Sequence, residues 1–173
     1  MRTRNAKLPD AQRIHDLIAG YSRAGTLLPR SLAELCENVR DFVVAEERRR
    51  IVGCGALHLY GPHLTEIRSI CVAPEFKGHG AGALLVEALL AEADHHDVSC
   101  VCLFTRIPDF FARFGFRVAK REELPDKIYK DCVKCPKLHA CDEIAMVRGE
   151  LPSFAILGDF SPVKLPIVTQ IHP

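Results

Sequence analysis

The stretch Lys77-Gly78-His79-Gly80-Ala81-Gly82-Ala83-Leu84-Leu85-Val86-Glu87-Ala88-Leu89-Leu90-Ala91-Glu92-Ala93 decides how this chain is read. A glycine-rich turn runs straight into a strong helix of alanine and leucine. The residues before it, Leu64 to Val72, read as a strand that ends at Pro74. A glycine-rich turn between a strand and a helix leaves backbone N–H groups unpaired at the positive end of the helix dipole. That is an anion site, and phosphates are its usual occupants. The spacing excludes two phosphate motifs. A dinucleotide fold would need a third glycine where Ala83 stands, and no Gly-Lys-Ser/Thr run is present. What remains is a cation followed by two glycines, Lys77-x-x-Gly80-x-Gly82. The competing reading is a flexible connection between strand and helix.

Upstream of that turn the chain reads as an antiparallel meander: Phe42 to Ala45, a charged turn from Glu46 to Arg50, a long strand from Ile51 to Tyr60, then Leu64 to Val72. Two helices precede it. The first has Asp10 as its expected N-cap and Ile14, Leu17, Ile18 and Tyr21 at helical spacing. The second opens with a capping box, Ser31 and Glu34, and presents Leu32, Leu35, Cys36 and Val39. Met1 to Asn5 is a short candidate strand. Downstream, Val98 to Thr105 is apolar on both faces and reads as a central strand. Asp109 to Phe114 reads as a short helix stopped by Gly115. Phe116 to Val118 and Glu143 to Val147 read as closing strands. This predicts a domain over residues 1–150. The extension over 151–173 is proline-rich, and is expected to be a dimer arm or partly disordered.

The chain has 173 residues, which suits one domain. Lys plus Arg total 23 and Asp plus Glu total 22, a balance that argues against a nucleic-acid binder. Hydrophobic residues make up 48%, which argues against a disordered acidic chain. No apolar run approaches the ~18 residues of a membrane span. Polar sequence after Met1-Arg2-Thr3-Arg4 suggests no export, so the expectation is a soluble, cytoplasmic protein.

Five of the eight cysteines, Cys36, Cys54, Cys71, Cys100 and Cys102, fall in helical or strand patterns and read as reduced, structural thiols. The other three cluster as Cys132-x-x-Cys135 and Cys141, with His139 between. That spacing admits a structural zinc without favouring one, because such sites show two well-separated ligand pairs. The competing readings are a loop stapled by a cysteine pair, or inert thiols.

The Lys77-x-x-Gly80-x-Gly82 turn resembles the pyrophosphate loop of the GNAT superfamily of N-acetyltransferases, which use acetyl-coenzyme A. Lys77 stands where that family usually has Arg or Gln. The element order and Phe110-Phe111-x-x-Phe114-Gly115-Phe116 are similar to the family's as well. Further segments resemble the catalytic domain of N-acetylglutamate synthase: Leu28-Pro29-Arg30-Ser31, Phe42-Val43-Val44, Gly53-Cys54-Gly55-Ala56-Leu57, Glu66-Ile67-Arg68-Ser69 and Leu103-Phe104-Thr105-Arg106. The segment from Lys127-Ile128-Tyr129 through Cys132-x-x-Cys135-Pro136 to Cys141-Asp142-Glu143-Ile144-Ala145-Met146 is similar to its short, stand-alone form. The resemblance runs from about Met1 to Arg148. It implies an α/β (α+β) fold of GNAT type, a mixed, mostly antiparallel sheet flanked by helices.

The resemblance also implies acetyl transfer from acetyl-CoA to the α-amine of L-glutamate, the first step of arginine synthesis. It implies a small amino-acid acceptor, no nucleic-acid or membrane partner, and a homodimer. On it, Lys77, Gly78, His79, Gly80, Ala81 and Gly82 hold the coenzyme with Phe111, and Ile70, Cys71 and Val72 offer backbone N–H groups to the oxyanion. Glutamate brings two carboxylates, so the site needs cations that bind them bidentately. Arg30, Arg68 and Arg106 are the candidates, each with a surface ion pair as its ordinary alternative. Glu66, two residues before Arg68 on one strand face, is the candidate base. Its alternative is charge pairing with Arg68. Two other functions stay open: transfer to a different amine, such as that of L-glutamine, and a non-catalytic acetyl-CoA sensor.

Overall fold

The computed structural model describes residues 1–156, so most of the 151–173 extension lies outside the described residues. The strands of its seven-stranded sheet follow the order β1-β2-β3-β4-β5-β7-β6. They are β1 (Arg2–Asn5), β2 (Phe42–Glu47), β3 (Arg50–Gly61), β4 (Leu64–Val72), β5 (Cys100–Thr105), β6 (Arg117–Val118) and β7 (Ile144–Gly149). The helices are α1 (Ala11–Arg23), α2 (Leu32–Glu37), α3 (Ala81–His95), α4 (Pro108–Ala112) and α5 (Pro125–Lys130). The β4–β5 pair is parallel, and β1–β2, β2–β3, β5–β7 and β6–β7 are antiparallel. None of the described helices is long and apolar enough to cross a membrane.

The chain forms two compact units. The first comprises Met1–His58 and Ile67–His95, the second Leu59–Glu66 with the described residues from His96 onward. In the first, Ile14, Leu17 and Ile18 of α1 and Leu35 of α2 cover Phe42, Val44, Cys54 and Ala56. Strand alternation puts these four on one sheet face, as the register Phe42↔Ala56 and Val44↔Cys54 requires. Helix α3 sits close against β3 because Gly53 and Gly55 have no side chains. A Cβ on Gly53 would lie 3.1 Å from Leu85, and one on Gly55 2.9 Å from Leu89. In the second unit Leu64, Cys100, Cys102, Leu124, Ala145 and Val147 form the core, with Tyr60 and Phe104 against it.

The structure corrects several sequence readings. The turn expected over Glu46–Arg50 is only Arg48 and Arg49, both at positive φ, and the strands run through their neighbours. Asp10 does not cap α1. Its backbone is already helical, and its carboxylate instead takes Arg4 at 2.7 and 3.0 Å and the N–H of Lys7 at 2.8 Å. Leu32 is exposed, so α2 contributes Leu35 as its buried residue. The turn Arg121–Glu123 and helix α5 carry no pattern that marks them in the sequence. All eight cysteines are free, with Cys54, Cys71, Cys100 and Cys102 buried.

Candidate active site

In the first unit the glycine turn is built by backbone geometry. Pro74–Phe76 make a short 3-10 turn, and Gly78 and Gly80 then adopt φ of 79° and 87°. Those values suit glycine, since an L side chain there is strained. Leu84 N donates to Gly80 O at 3.1 Å, the first bond of the helical ladder. The N–H groups of Ala81, Gly82 and Ala83 therefore precede the ladder, at the start of a 15-residue helix. The exposed His79 donates from Nδ1 to the Lys77 carbonyl at 2.9 Å. Lys77 Nζ lies 4.9 Å from the centroid of Tyr21, whose hydroxyl donates to Val72 O at 2.5 Å. Tyr21 thus ties α1 to the end of β4, a role its place in the helical period did not suggest. An open cavity of about 380 Å³ lies beside it, lined in part by Arg13, Tyr21, Pro74 and Lys77.

Strand β4 is irregular just before this turn. Ser69 has φ 54°, an uncommon value for a residue with a Cβ, and it breaks the strand's alternation. Beyond it Cys71 is buried with Sγ 3.6 Å from Cys54 Sγ, and Ala73 N donates to Val52 O at 2.7 Å. The Cys71 thiol and burial together push Cys54 well above the usual thiol range. Ile70, Cys71 and Val72 follow this irregularity directly, at the end of the strand that feeds the turn.

Arg30 and Arg68, far apart in sequence, line one narrow cleft with Glu34, Asn38, Asp41 and Ser69. It holds space of about 10 Å³, roughly one water. Arg30, just before the N-cap of α2, donates to the Glu34 carboxylate, and the Ser31 hydroxyl accepts from Glu34 N at 3.1 Å, the half of the expected capping box that forms. Asp41 is 3.4 Å from His58 Nδ1.

The second unit holds Glu66, Arg106 and Phe111. Glu66 is 3% exposed. It pairs opposite Cys102 in the β4–β5 ladder, beside apolar Leu64 and Cys102. A carboxylate in that position needs partners. Lys127 Nζ is 2.7 Å from Glu66 Oε1, and the Tyr60 hydroxyl 2.8 Å from Oε2. Asp131 Oδ2 closes the ring, 2.9 Å from the Tyr60 hydroxyl and 3.1 Å from Lys127 Nζ. The alternative reading of Glu66, charge pairing with Arg68, gives way to an ion pair with Lys127. Burial disfavours the Lys127 ammonium, but Glu66 and then Asp131 outweigh it and raise its pKa. Burial, then the charges of Glu66 and Asp131, push the Tyr60 phenol far above its ordinary value.

Arg106 donates from Nε to Asp142 at 2.7 Å. Phe111 is buried, its ring edge-on to Phe110 at 4.9 Å and to Phe116 at 6.1 Å. Cys132, Cys135 and Cys141 are half-buried. Among the described residues no three His, Cys, Asp or Glu side chains gather as a metal-ligand set.

A family model described as an acetyltransferase (GNAT) domain matches residues 38–118. An N-acetyltransferase of Chlorobaculum tepidum is 43% identical over 145 residues, covering 84% of this chain and 94% of that protein. The chain belongs to the GNAT family of N-acetyltransferases. The amino-acid acetyltransferase of Mycobacterium tuberculosis is 38% identical over 118 residues, 66% of this chain and 66% of that protein. Among solved structures, Rv2747 from Mycobacterium tuberculosis in complex with CoA and NLQ matches with TM-score 0.75 and 30% identity, over 87% of this chain and 100% of that one. N-acetylglutamate synthase from Neisseria gonorrhoeae, complexed with coenzyme A and N-acetyl-glutamate, matches with TM-score 0.77 and 26% identity. That match covers 85% of this chain and 34% of that one, so the chain spans about a third of the synthase.

Proposed function

We propose that this protein transfers the acetyl group of acetyl-CoA to the α-amine of an amino acid, and that the acceptor is L-glutamate. The observation that carries the acceptor is the convergence of Arg30 and Arg68 on one cleft. Two guanidinium groups suit a dicarboxylate. The neighbouring synthase complexed with N-acetyl-glutamate supports the same acceptor. Arg30 is held by Glu34 of the first turn of α2 in a half-exposed pair, so an incoming carboxylate can replace Glu34 at small cost. The glycine turn suits the coenzyme's pyrophosphate: its glycines take positive φ, and the free N–H groups of Ala81, Gly82 and Ala83 follow with Lys77 beside them. Ile70, Cys71 and Val72 are the segment proposed to donate to the oxyanion. Arg106 is a weaker candidate because Asp142 already engages it. Phe111 supports the coenzyme side only as part of an aromatic core.

Glu66 is the proposed base. Both its oxygens are engaged, so it would take the ammonium proton through a water rather than by direct contact. The residues 1–150 are proposed as the acetyltransferase domain.

The test is thiol release from acetyl-CoA against a panel of amino acids that includes L-glutamate and L-glutamine. Saturable turnover on glutamate is expected. Arg30→Ala and Arg68→Ala should each raise its KM about 10- to 100-fold and leave the acetyl-CoA KM nearly unchanged. Preference for glutamine would overturn the acceptor, and coenzyme binding without turnover would favour the sensor.

A further inference from the structure

The Tyr60 hydroxyl carries one proton and faces two carboxylates, Glu66 Oε2 at 2.8 Å and Asp131 Oδ2 at 2.9 Å. Both contacts are hydrogen-bond length, yet one O–H can donate to only one oxygen at a time. The second contact is satisfied when a carboxyl group supplies a proton to the phenol oxygen. Lys127 holds the other oxygen of Glu66, Oε1, at 2.7 Å, and shares Asp131 Oδ2 with Tyr60 at 3.1 Å. Lys130 lies 5.4 Å from the Tyr60 ring centroid, and Cys102 and Cys132 also border the cluster. The side-chain exposures grade outward, 4% for Glu66 and 30% for Asp131.

We infer that Tyr60 and Asp131 form a proton exit for Glu66, a role that rests on reading Glu66 as the base. The chemistry demands an exit. Acetylating an ammonium forms a C–N bond and breaks the thioester C–S bond. Of the two protons the nitrogen loses, one ends on the coenzyme thiolate. The other is released. A base buried as Glu66 is must discharge that proton before the next turnover. Glu66 Oε2–H passes its proton to the Tyr60 oxygen while Tyr60 O–H passes its own to Asp131 Oδ2. Asp131 then delivers it to water. Rotation of the phenol O–H restores the starting state. Tyr60 and Asp131 are positioning and relay groups here, acting through Glu66, and Lys127 holds the two carboxylates in register.

The experiment compares the first turnover with steady state, by rapid quench, using acetyl-CoA and the best acceptor of the panel. Tyr60→Phe and Asp131→Asn should keep a first-turnover rate within about threefold of wild type and both KM values within about twofold. Their steady-state kcat should fall by about tenfold or more, the scale of a lost proton-transfer path. Small diffusible bases such as formate should restore part of it. If first turnover and steady state fall together without formate rescue, Tyr60 is structural and the relay is wrong. If neither falls in Asp131→Asn, it is wrong as well, and this variant carries the test should Tyr60→Phe fold poorly. Glu66→Gln separates the two claims. A normal first turnover in Glu66→Gln removes the base and the relay together. A slow Glu66→Gln beside fully active Tyr60→Phe and Asp131→Asn removes the relay alone.

Discussion

The two units of the chain hold their charged groups in opposite ways. In the first, Arg30 and Glu34 have side chains 21% and 39% exposed, and the pair joins the residue before a short helix's N-cap to its first turn. In the second, Lys127 and Glu66 are 13% and 4% exposed and are locked to Tyr60 and Asp131. An exposed pair gains little and opens readily. A buried pair cannot lose one partner without leaving an uncompensated charge. The first arrangement suits a group that must trade its partner for a ligand. The second suits fixed machinery that moves only protons.

The largest expected effect comes from breaking the buried side of this contrast. Lys127→Met would leave Glu66 and Asp131 facing each other through Tyr60 with no ammonium between them. A loss of about 3–5 kcal/mol is expected, read from urea unfolding. Adding Glu66→Gln to that variant should restore much of the loss, because the unpaired charge is then gone. An additive double variant would mean that Lys127 stabilises the unit through its stem alone.

Next in size is a change that involves no charge. Gly53→Val places a Cβ 2.9 Å from Cys71 O and 3.1 Å from Leu85 Cδ1. Overpacking of this kind costs about 1–3 kcal/mol. It also presses on β4 beside Cys71 and Val72, so acetyl-transfer kcat should fall along with the urea midpoint. A stable variant with normal kcat would show that α3 and β3 have slack at this contact.

The same contrast explains what the sequence could reveal. The glycine turn, the Ser31 cap and the strands are local patterns, and the seven strands and helices α1 to α4 were legible within a few residues. Ser31 caps α2 as its motif predicts, because all the atoms involved lie within three residues. Asp10 failed as a cap because Arg4 competes for its carboxylate. The ring of Tyr60, Glu66, Lys127 and Asp131 was not legible, since it depends on α5 meeting the β3–β4 hairpin end. One signal was present: Lys127 and Asp131 are four residues apart, the spacing of a helical ion pair. The cysteine cluster drew attention to that region instead. The positive φ of Ser69 had no sequence signal, since serine is no marker for that conformation.

A pH series sharpens the comparison further. Burial pushes both Cys100 and Cys132, in the second unit, up to about 11. A thiol whose folded pKa is raised binds its proton longer in the native state than in the unfolded one. Its contribution is therefore complete below the ordinary thiol pKa and is lost as pH climbs through 9 towards 11. The urea midpoint should decline over that window, and Cys132→Ser should flatten part of the decline. A midpoint constant from pH 8 to 11 would mean that the two thiols titrate alike in both states.

The smallest expected effect tests the exposed side. Ser31→Ala removes the hydroxyl that accepts from Glu34 N at 3.1 Å, which should cost about 1 kcal/mol. The consequence for function is more telling than the cost. Glu34 is both the capped N–H and the carboxylate that holds Arg30. Fraying that first turn loosens Glu34 and frees Arg30 to sample other positions. If the pair is a placeholder for an acceptor carboxylate, acceptor KM should rise only about two- to threefold while acetyl-CoA KM stays fixed, since a substrate carboxylate re-anchors the arginine. A rise as large as that of Arg30→Ala would instead mean that the cap, through Glu34, sets the arginine's position in the bound state as well. Arg30 would then be as rigidly built as the ring around Glu66, and the difference between the two units would lie in exposure alone.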